Sequence, residues 1–144
     1  MSNDFSELRI QHLEMIQAVI ARLAGNNASH KNYCISLIMG AFGLAATLQK
    51  PLIAALAFLP VVAFAVLDAQ YLRLEKRYRE LFERVRLESP AERPDFRLHT
   101  TGLPQIGFWT AFASWSIQAF YLPTIAGVLF ITILLEVFYG STLF

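Results

Sequence analysis

Two long uncharged stretches dominate the hydropathy pattern of this chain, and a single Lys-Pro pair separates them. Residues 32–49 and residues 51–67 contain no Lys, Arg, Asp or Glu, and Lys50-Pro51 lies between them. A helix rises about 1.5 Å per residue, so roughly 20 residues cross a hydrocarbon core about 30 Å thick. With interfacial residues included, the pattern predicts a transmembrane hairpin, with membrane helix 1 over 29–49 and membrane helix 2 starting at residue 51.

The segment before the hairpin has the pattern of an amphipathic helix. Its apolar residues recur at three- and four-residue steps, while polar residues occupy the other positions. These apolar residues are Phe5, Leu8, Leu13, Ile16, Val19, Ile20 and Leu23. We predict an amphipathic cytoplasmic helix within 1–28, broken at Gly25-Asn26-Asn27, with Ser29 available to cap the next helix.

The second membrane helix is predicted to continue beyond the membrane as one helix over 51–88. Pro60 should kink it, and Ser89-Pro90 should end it. An apolar seam runs along it at three- and four-residue steps. The seam consists of Phe64, Leu67, Tyr71, Leu74, Tyr78, Leu81 and Val85. It could pack against the N-terminal helix of the same chain, which is the commoner arrangement, or against copies of itself.

The C-terminal third carries no Lys, Arg, Asp or Glu between Arg97 and Glu136. We predict an aromatic interfacial segment over 105–122 and a third membrane helix over 119–139, because Trp and Tyr favour membrane interfaces. Periodicity leaves open whether the first of these lies at the interface or re-enters the bilayer. Thr110, Ser114 and Gln118 are four apart and form a polar stripe, which either faces lipid headgroups or lines a water path in an oligomer.

Two further residue sets are candidates for function. Ser36, Gly40, Gly43 and Thr47 place small side chains on one face of membrane helix 1, which permits close helix packing. Lys31 and Asp68 are nearly equidistant from the turn at Lys50 and should reach the same depth. An interfacial ion pair between them would act as a clasp of the hairpin; a role in gating or ion conduction is the alternative.

Charge and composition support a membrane protein and give no indication of catalysis. The chain is 56% hydrophobic and 16% charged, against about 25% charged in soluble domains. Most basic residues follow the second apolar stretch, so the positive-inside rule predicts a cytoplasmic N-terminus. The one cysteine, Cys34, and the dispersed histidines provide no metal site. We therefore expect no catalytic residues, no cofactor and no metal, and the nearly balanced charges of residues 73–97 argue against nucleic-acid binding.

These elements together predict an all-α fold, a single helical membrane domain over 1–144. The sequence also resembles a family of small bacterial inner-membrane proteins with a two-helix transmembrane hairpin, similar to membrane effectors of anti-phage defence systems. Three runs carry the resemblance: Arg22-Leu-Ala-Gly-Asn26 with Lys31-Asn-Tyr33, the run from Leu67-Asp68 to Tyr78-Arg79, and Leu81-Phe82. The resemblance implies a protein that oligomerises and damages the membrane when a partner senses infection.

The leading hypothesis is thus a non-enzymatic inner-membrane effector that self-associates and perturbs membrane integrity, as a pore or otherwise. Its expected partners are the lipid bilayer and copies of itself. The alternative is a structural or adaptor membrane protein, whose cytoplasmic helices dock a partner protein through residues 70–88. An intramembrane enzyme ranks third, because the sequence offers no converging catalytic side chains.

Overall fold

The computed structural model describes residues 5–89 and 91–139, and helices are the only regular elements among them. Residues 1–4 of the predicted N-terminal helix and Pro90, the predicted helix stop, lie outside the described residues. The helices are α1 (Ser6–Leu48), α2 (Pro51–Ala55), α3 (Phe58–Leu87), α4 (Phe108–Phe112) and α5 (Trp115–Tyr139). The predicted all-α class is confirmed.

Three helical units are long and apolar enough to cross a membrane. They are α1, the α2–α3 unit Pro51–Leu87 and α5, whose most apolar windows of 18 residues have mean hydropathies of 1.2, 2.4 and 2.0. The first two form an antiparallel hairpin. Gln49 ends α1 in the left-handed conformation (φ 54°), and Pro51 follows in the first turn of α2. A proline there loses nothing, because the first amides of a helix have no intrahelical acceptor.

The expected break at Gly25-Asn26-Asn27 is absent, because α1 is one helix from Ser6 to Leu48. Local propensity is weak when tertiary contacts oppose it. Here the Ser29 hydroxyl donates to the Gly25 carbonyl (3.1 Å) instead of capping a new helix. The Asn27 amide turns toward α3 and therefore does not compete for its own backbone. These contacts stabilise the helical conformation of Gly25, Asn26 and Asn27, although such residues favour a turn.

The second helical unit is interrupted at Leu56-Ala57, one turn before Pro60. Pro60 has no N–H to donate to the Leu56 carbonyl and its ring crowds that turn. The amides around the interruption instead make shorter-range bonds, Ala57 N to Ala54 O (3.0 Å) and Leu59 N to Leu56 O (3.1 Å). The predicted kink at Pro60 thus takes the form of a tightened turn between α2 and α3.

The C-terminal third is divided at a different place from the one predicted. Pro123 lies inside α5, which already begins at Trp115, and the break falls at Ala113-Ser114. Thr124 Oγ1 donates to the Phe120 carbonyl (2.7 Å) beside the proline. Hydroxyls of this kind help helices tolerate proline. The aromatic segment is therefore split between the short helix α4 and the first turns of α5.

The bundle has two ends with separate cores. We call the charged end the part formed by residues 6–28 and 70–105, and the apolar end the part formed by residues 29–69 and 106–139. In the charged end Ile16 and Ile20 of α1 pack against Leu81 and Val85 of α3. Leu103 lies beside them, in the connector between α3 and α4 (residues 88–107). The core of the apolar end consists of Cys34, Ile38, Ala57, Val61, Ala65, Ala69, Ala111, Ile117, Tyr121 and Val128.

Candidate functional site

A buried carboxylate lies where the three long helical units meet. Asp68 of α3 is fully buried. Tyr121 of α5 donates its hydroxyl to Asp68 Oδ2 (2.8 Å), and His30 of α1 donates Nδ1–H to Oδ1 (3.2 Å). The Asn27 amide, oriented with its nitrogen toward the carboxylate, lies 2.6 Å from Oδ1 and 3.0 Å from Oδ2. We call these four residues the Asp68 cluster.

Helix geometry explains why these residues meet. Asn27 and His30 are three residues apart on α1 and so share one face, which the hairpin turns toward α3. Aromatic neighbours fix the imidazole, since Tyr71 contacts it edge-on (ring centroids 4.8 Å apart) and Phe64 lies 5.8 Å away. Tyr121 reaches the carboxylate from the second turn of α5.

The cluster gives Asp68 a different partner from the one predicted. Lys31 is not its ion-pair partner: the Lys31 ammonium lies over the Phe120 ring, 5.5 Å from its centroid, while the adjacent His30 contacts the carboxylate. Successive helix residues point about 100° apart, so only one of the two can face α3. The sequence predicts that Lys31 and Asp68 lie at the same depth, and the turn of α1 that contains Lys31 does lie beside Asp68.

The arrangement can hold three helical units together. A buried carboxylate is costly unless it is hydrogen-bonded, and here three donors from two other helices satisfy it. The His30 side chain is 16% exposed, whereas that of Asp68 is fully buried. Within the described part of the chain, no group of three His, Cys, Asp or Glu side chains is placed to hold a metal ion.

The small-residue face of α1 points away from the bundle. Ser36, Gly40, Gly43 and Thr47 are all exposed. A Cβ added at either glycine would meet nothing within 4 Å. The hydroxyls of Ser36 and Thr47 donate to carbonyls of their own helix, Asn32 O (2.9 Å) and Gly43 O (2.8 Å). The hairpin itself packs through Cys34, Ile38 and Ala45 instead.

The seam of α3 is used only in part as predicted. Leu81 and Val85 are buried against the N-terminal part of α1, and Tyr78 packs at the edge of the same cluster. Leu67 and Leu74 are exposed, and toward the apolar end the buried positions shift to Ala65, Asp68 and Ala69. Small side chains there let the two helices approach closely, so the larger ones turn outward.

The predicted polar stripe does not form one face. Thr110 lies in α4, Ser114 in the bend and Gln118 in the first turn of α5. Gln118 Nε2 donates to the Phe112 carbonyl (3.0 Å) and so closes the bend from inside. Ser114 accepts the amides of Ile117 (3.1 Å) and Gln118 (3.0 Å) through its carbonyl, because the chain turns there.

A second polar site lies at the charged end, where α1 clamps the connector. Arg9 Nη2 donates to the carbonyls of Ser89 and Glu92 (3.1 Å for the latter), and His12 Nε2–H donates to Arg97 O (3.2 Å). A cleft of about 430 Å³ opens beside this clamp. Its lining residues are His12, Leu81, Arg84, Val85, Glu88, Asp95, Arg97, His99 and Thr101.

Sequence reasoning identified Asp68 but missed Asn27, His30 and Tyr121 as its partners. A usable signal existed, since Asn27 and His30 are polar residues on one helix face at the depth of an Asp that needs donors. Tyr121 gave none, because its contact depends on how α5 docks. Comparisons with protein-family models, curated proteins and solved structures found no match, so the interpretation of this site rests on its geometry.

Proposed function

We propose that this chain is a multi-pass inner-membrane protein, with the Asp68 cluster at one boundary of the hydrocarbon core. Measured from the cluster, α1 runs from His30 to Leu48, α2–α3 from Asp68 back to Pro51, and α5 from Tyr121 to Tyr139. At about 1.5 Å per residue these lengths are about 27, 26 and 27 Å, close to the core thickness of about 30 Å. Three matched lengths starting from one polar cluster are the observation that carries the proposal.

The outward surface supports the same placement. Between the cluster and the far ends of the helices the exposed side chains are mostly large and apolar, among them Leu52, Leu59, Phe130 and Val137. Trp109 and Trp115 are 76% and 85% exposed near the cluster, where Trp favours the interface. The basic residues of the charged end support the proposal that this end, and with it the N-terminus, lies in the cytoplasm.

Within this placement the proposed activity is non-enzymatic: an effector that self-associates in the inner membrane and perturbs its integrity, in anti-phage defence. The resemblance to such effectors motivates the assignment. The outward small-residue face of α1 supports self-association, because it is smooth, its hydroxyls are bonded within the helix, and both glycines meet open space. Such a face lets a second helix approach closely in lipid.

The test is membrane potential in bacteria after induced expression, read with a voltage-sensitive dye alongside growth and crosslinked oligomers. Three chains are compared: the intact chain, Gly40→Leu/Gly43→Leu, and the control Ala126→Leu/Gly127→Leu. The control adds nearly the same bulk at two exposed positions of α5, where Gly127 also meets open space. Depolarisation by the intact chain and the control, with loss in the α1 variant, is expected.

Toxicity that persists after the α1 variant has lost its oligomers would refute the self-association mechanism. An unchanged potential with every chain would favour the rival proposal, an adaptor that acts through a cytoplasmic partner. The cleft beside His12 and Arg97 is the observation that favours this rival. The seam itself is less suited to docking, since Leu81 and Val85 are already buried within the chain. Copurification of a specific cytoplasmic protein, abolished by Arg84→Glu but not by Arg86→Glu, would support the adaptor.

A further inference from the structure

A pocket on α3 presents two guanidinium groups just beyond the Asp68 cluster. Its volume is about 260 Å³, and its lining residues are Gln70, Arg73, Leu74, Arg77 and Gln105. Among these lining residues there are two cations, two primary amides and no carboxylate. The pocket therefore has a net positive charge and a surplus of hydrogen-bond donors, which suits an anion.

Neutral acceptors hold both arginines in place. Arg73 Nε donates to the Ile106 carbonyl (3.0 Å) and Arg73 Nη1 to Gln70 Oε1 (2.9 Å), while Arg77 Nη2 donates to Gln105 Oε1 (2.9 Å). These bonds orient the guanidinium groups without neutralising their charge. Each glutamine uses its oxygen for an arginine, and its NH₂ group is left to donate to a ligand. Arg77 Nε is buried without an acceptor, a further donor that a bound anion could satisfy.

Other arginines of the same helix are arranged differently. Arg79 pairs with Glu75 (2.7 Å) and Arg86 with Glu83 (2.6 Å), so a carboxylate on the helix surface compensates each charge. Both are more than half exposed. Within the described part of α3, Arg73, Lys76, Arg77 and Arg84 make no ion pair, and two of these four line the pocket. The paired arginines, Arg79 and Arg86, provide matched controls.

The depth of the pocket indicates which anion it meets. Arg73 and Arg77 are five and nine residues beyond Asp68, about 8 and 14 Å along the helix axis, whereas headgroups occupy roughly 5–7 Å outside each face of the hydrocarbon core. Side chains of a helix lean toward its N-terminus, so both long guanidinium side chains extend from α3 back toward the headgroups. Exposed apolar side chains border the pocket on both sides, Leu67 and Leu74 on α3 and Trp109 just after Ile106. An anion bound here can therefore continue into acyl chains that lie on the apolar end.

We propose that this pocket binds the phosphodiester of an anionic phospholipid, with Arg73 and Arg77 as its cationic ligands and Gln70 and Gln105 as neutral donors. Two forked guanidinium groups match phosphate oxygens in geometry and charge. Basic pockets at the cytoplasmic side of membrane helices are known sites for anionic lipid heads. The inference rests on the proposed membrane placement, and it adds a specific lipid partner to the general contact with the bilayer.

The experiment is native mass spectrometry of the full chain in nonionic detergent, titrated with dioctanoyl phosphatidylglycerol. Dioctanoyl phosphatidylcholine and inorganic phosphate are the comparison probes. Arg73→Gln/Arg77→Gln should weaken phosphatidylglycerol binding by roughly tenfold or more, since each charge-assisted hydrogen bond is worth at least that factor. Arg79→Gln/Arg86→Gln, with the same change of charge on the same helix, should stay within about twofold.

Three results would overturn the proposal. Equal loss in both double variants would mean diffuse attraction, equal binding of phosphatidylcholine would mean no recognition of charge, and displacement of the lipid by equimolar inorganic phosphate would assign the pocket to a water-soluble phosphate ligand. Should the double variant not fold, Arg77→Gln leaves the Arg73 bond to Ile106 intact and should still weaken binding by about tenfold. Extraction of native membranes with alkaline carbonate tests the proposed membrane placement separately, because release of the chain would refute that placement whatever the lipid result.

Discussion

The charged end and the apolar end of this bundle differ in the side chains that they mainly expose. In the charged end Ile16, Ile20, Leu81 and Val85 lie inside and most charged side chains lie outside. In the apolar end many of the buried positions of α2 and α3 are alanines, or Asp68, while residues such as Leu52 and Leu59 point outward. The difference fits the proposed membrane placement, because water drives large apolar side chains inward, whereas in lipid packing and hydrogen bonding decide what is buried.

The same helix shows both rules. Ile16 and Leu44 both belong to α1, yet Ile16 is fully buried and Leu44 is 52% exposed. Asn27 and His30, the residues through which α1 contacts Asp68, lie between these two positions. In the proposed placement the Asp68 cluster is the boundary between the two ends, and the predictions below test the cluster and the helices on either side of it.

The largest effect is expected from Asp68→Ala, at the boundary itself. Removing the carboxylate leaves His30, Tyr121 and Asn27 without their shared acceptor, which should lower the free energy of unfolding by about 3–5 kcal/mol. Thermal denaturation in detergent, followed by circular dichroism, measures this change. Ser36→Ala on the outward face of α1 serves as the control and should leave the melting curve unchanged. A loss below about 1 kcal/mol would show that the cluster does not hold the three helical units together.

The next test exchanges an exposed leucine for a charge at each end. Leu59→Arg places a cation on the outer face of the apolar end, and insertion should cost about 2.5–3.5 kcal/mol. Leu87→Arg makes the same change in the charged end, where Leu87 is 76% exposed, and should cost nothing measurable. Glycosylation-tagged insertion assays report both. Equal tolerance of the two substitutions would mean that the apolar end does not lie in lipid.

A comparable effect is expected when apolar side chains of α1 are truncated. Ile16→Ala should cost about 3 kcal/mol, because it opens a cavity between α1 and α3. Leu44→Ala removes a side chain of similar size from the exposed face of the apolar end and should cost under about 1 kcal/mol, since fewer packed neighbours are lost. Denaturant titrations of both variants in the same detergent give the difference. Similar losses would show that one packing rule applies along the whole helix.

The smallest effect concerns the continuity of α1. Gly25 is an exposed glycine inside the helix with open space around its Cβ position. Gly25→Ala should therefore stabilise the chain by about 0.5–1 kcal/mol through helix propensity. A small rise in melting temperature is the expected readout, with Ala24→Gly shifting it in the opposite direction. Destabilisation by Gly25→Ala would contradict a continuous α1 and would favour the break at residues 25–27 that the sequence pattern predicts.

Parts of the fold could be predicted from residue order because they depend on local physics. Two apolar runs around Lys50-Pro51 predict a hairpin, and Pro60 predicts an irregular turn nearby, since proline acts on its own helix wherever the helix lies. The break expected at Gly25-Asn26-Asn27 was wrong, and the third long helix begins at Trp115 rather than at residue 119. The first difference involves preferences of about 1 kcal/mol per residue, which tertiary contacts and side-chain hydrogen bonds can outweigh.

By itself the sequence determined the helical class, the hairpin and the position of an acid, Asp68, at the end of the second apolar stretch. Only the tertiary structure decided which donors meet that acid, that His30 rather than Lys31 faces α3, and that Arg73 and Arg77 share a pocket with Gln105. Those choices depend on the rotation of each helix about its axis and on where α5 docks. Adjacent residues of a helix point about 100° apart. Where lipid rather than water surrounds a bundle, apolar side chains can face outward as well as inward, so the hydropathy pattern does not fix the rotation of a helix to within that angle.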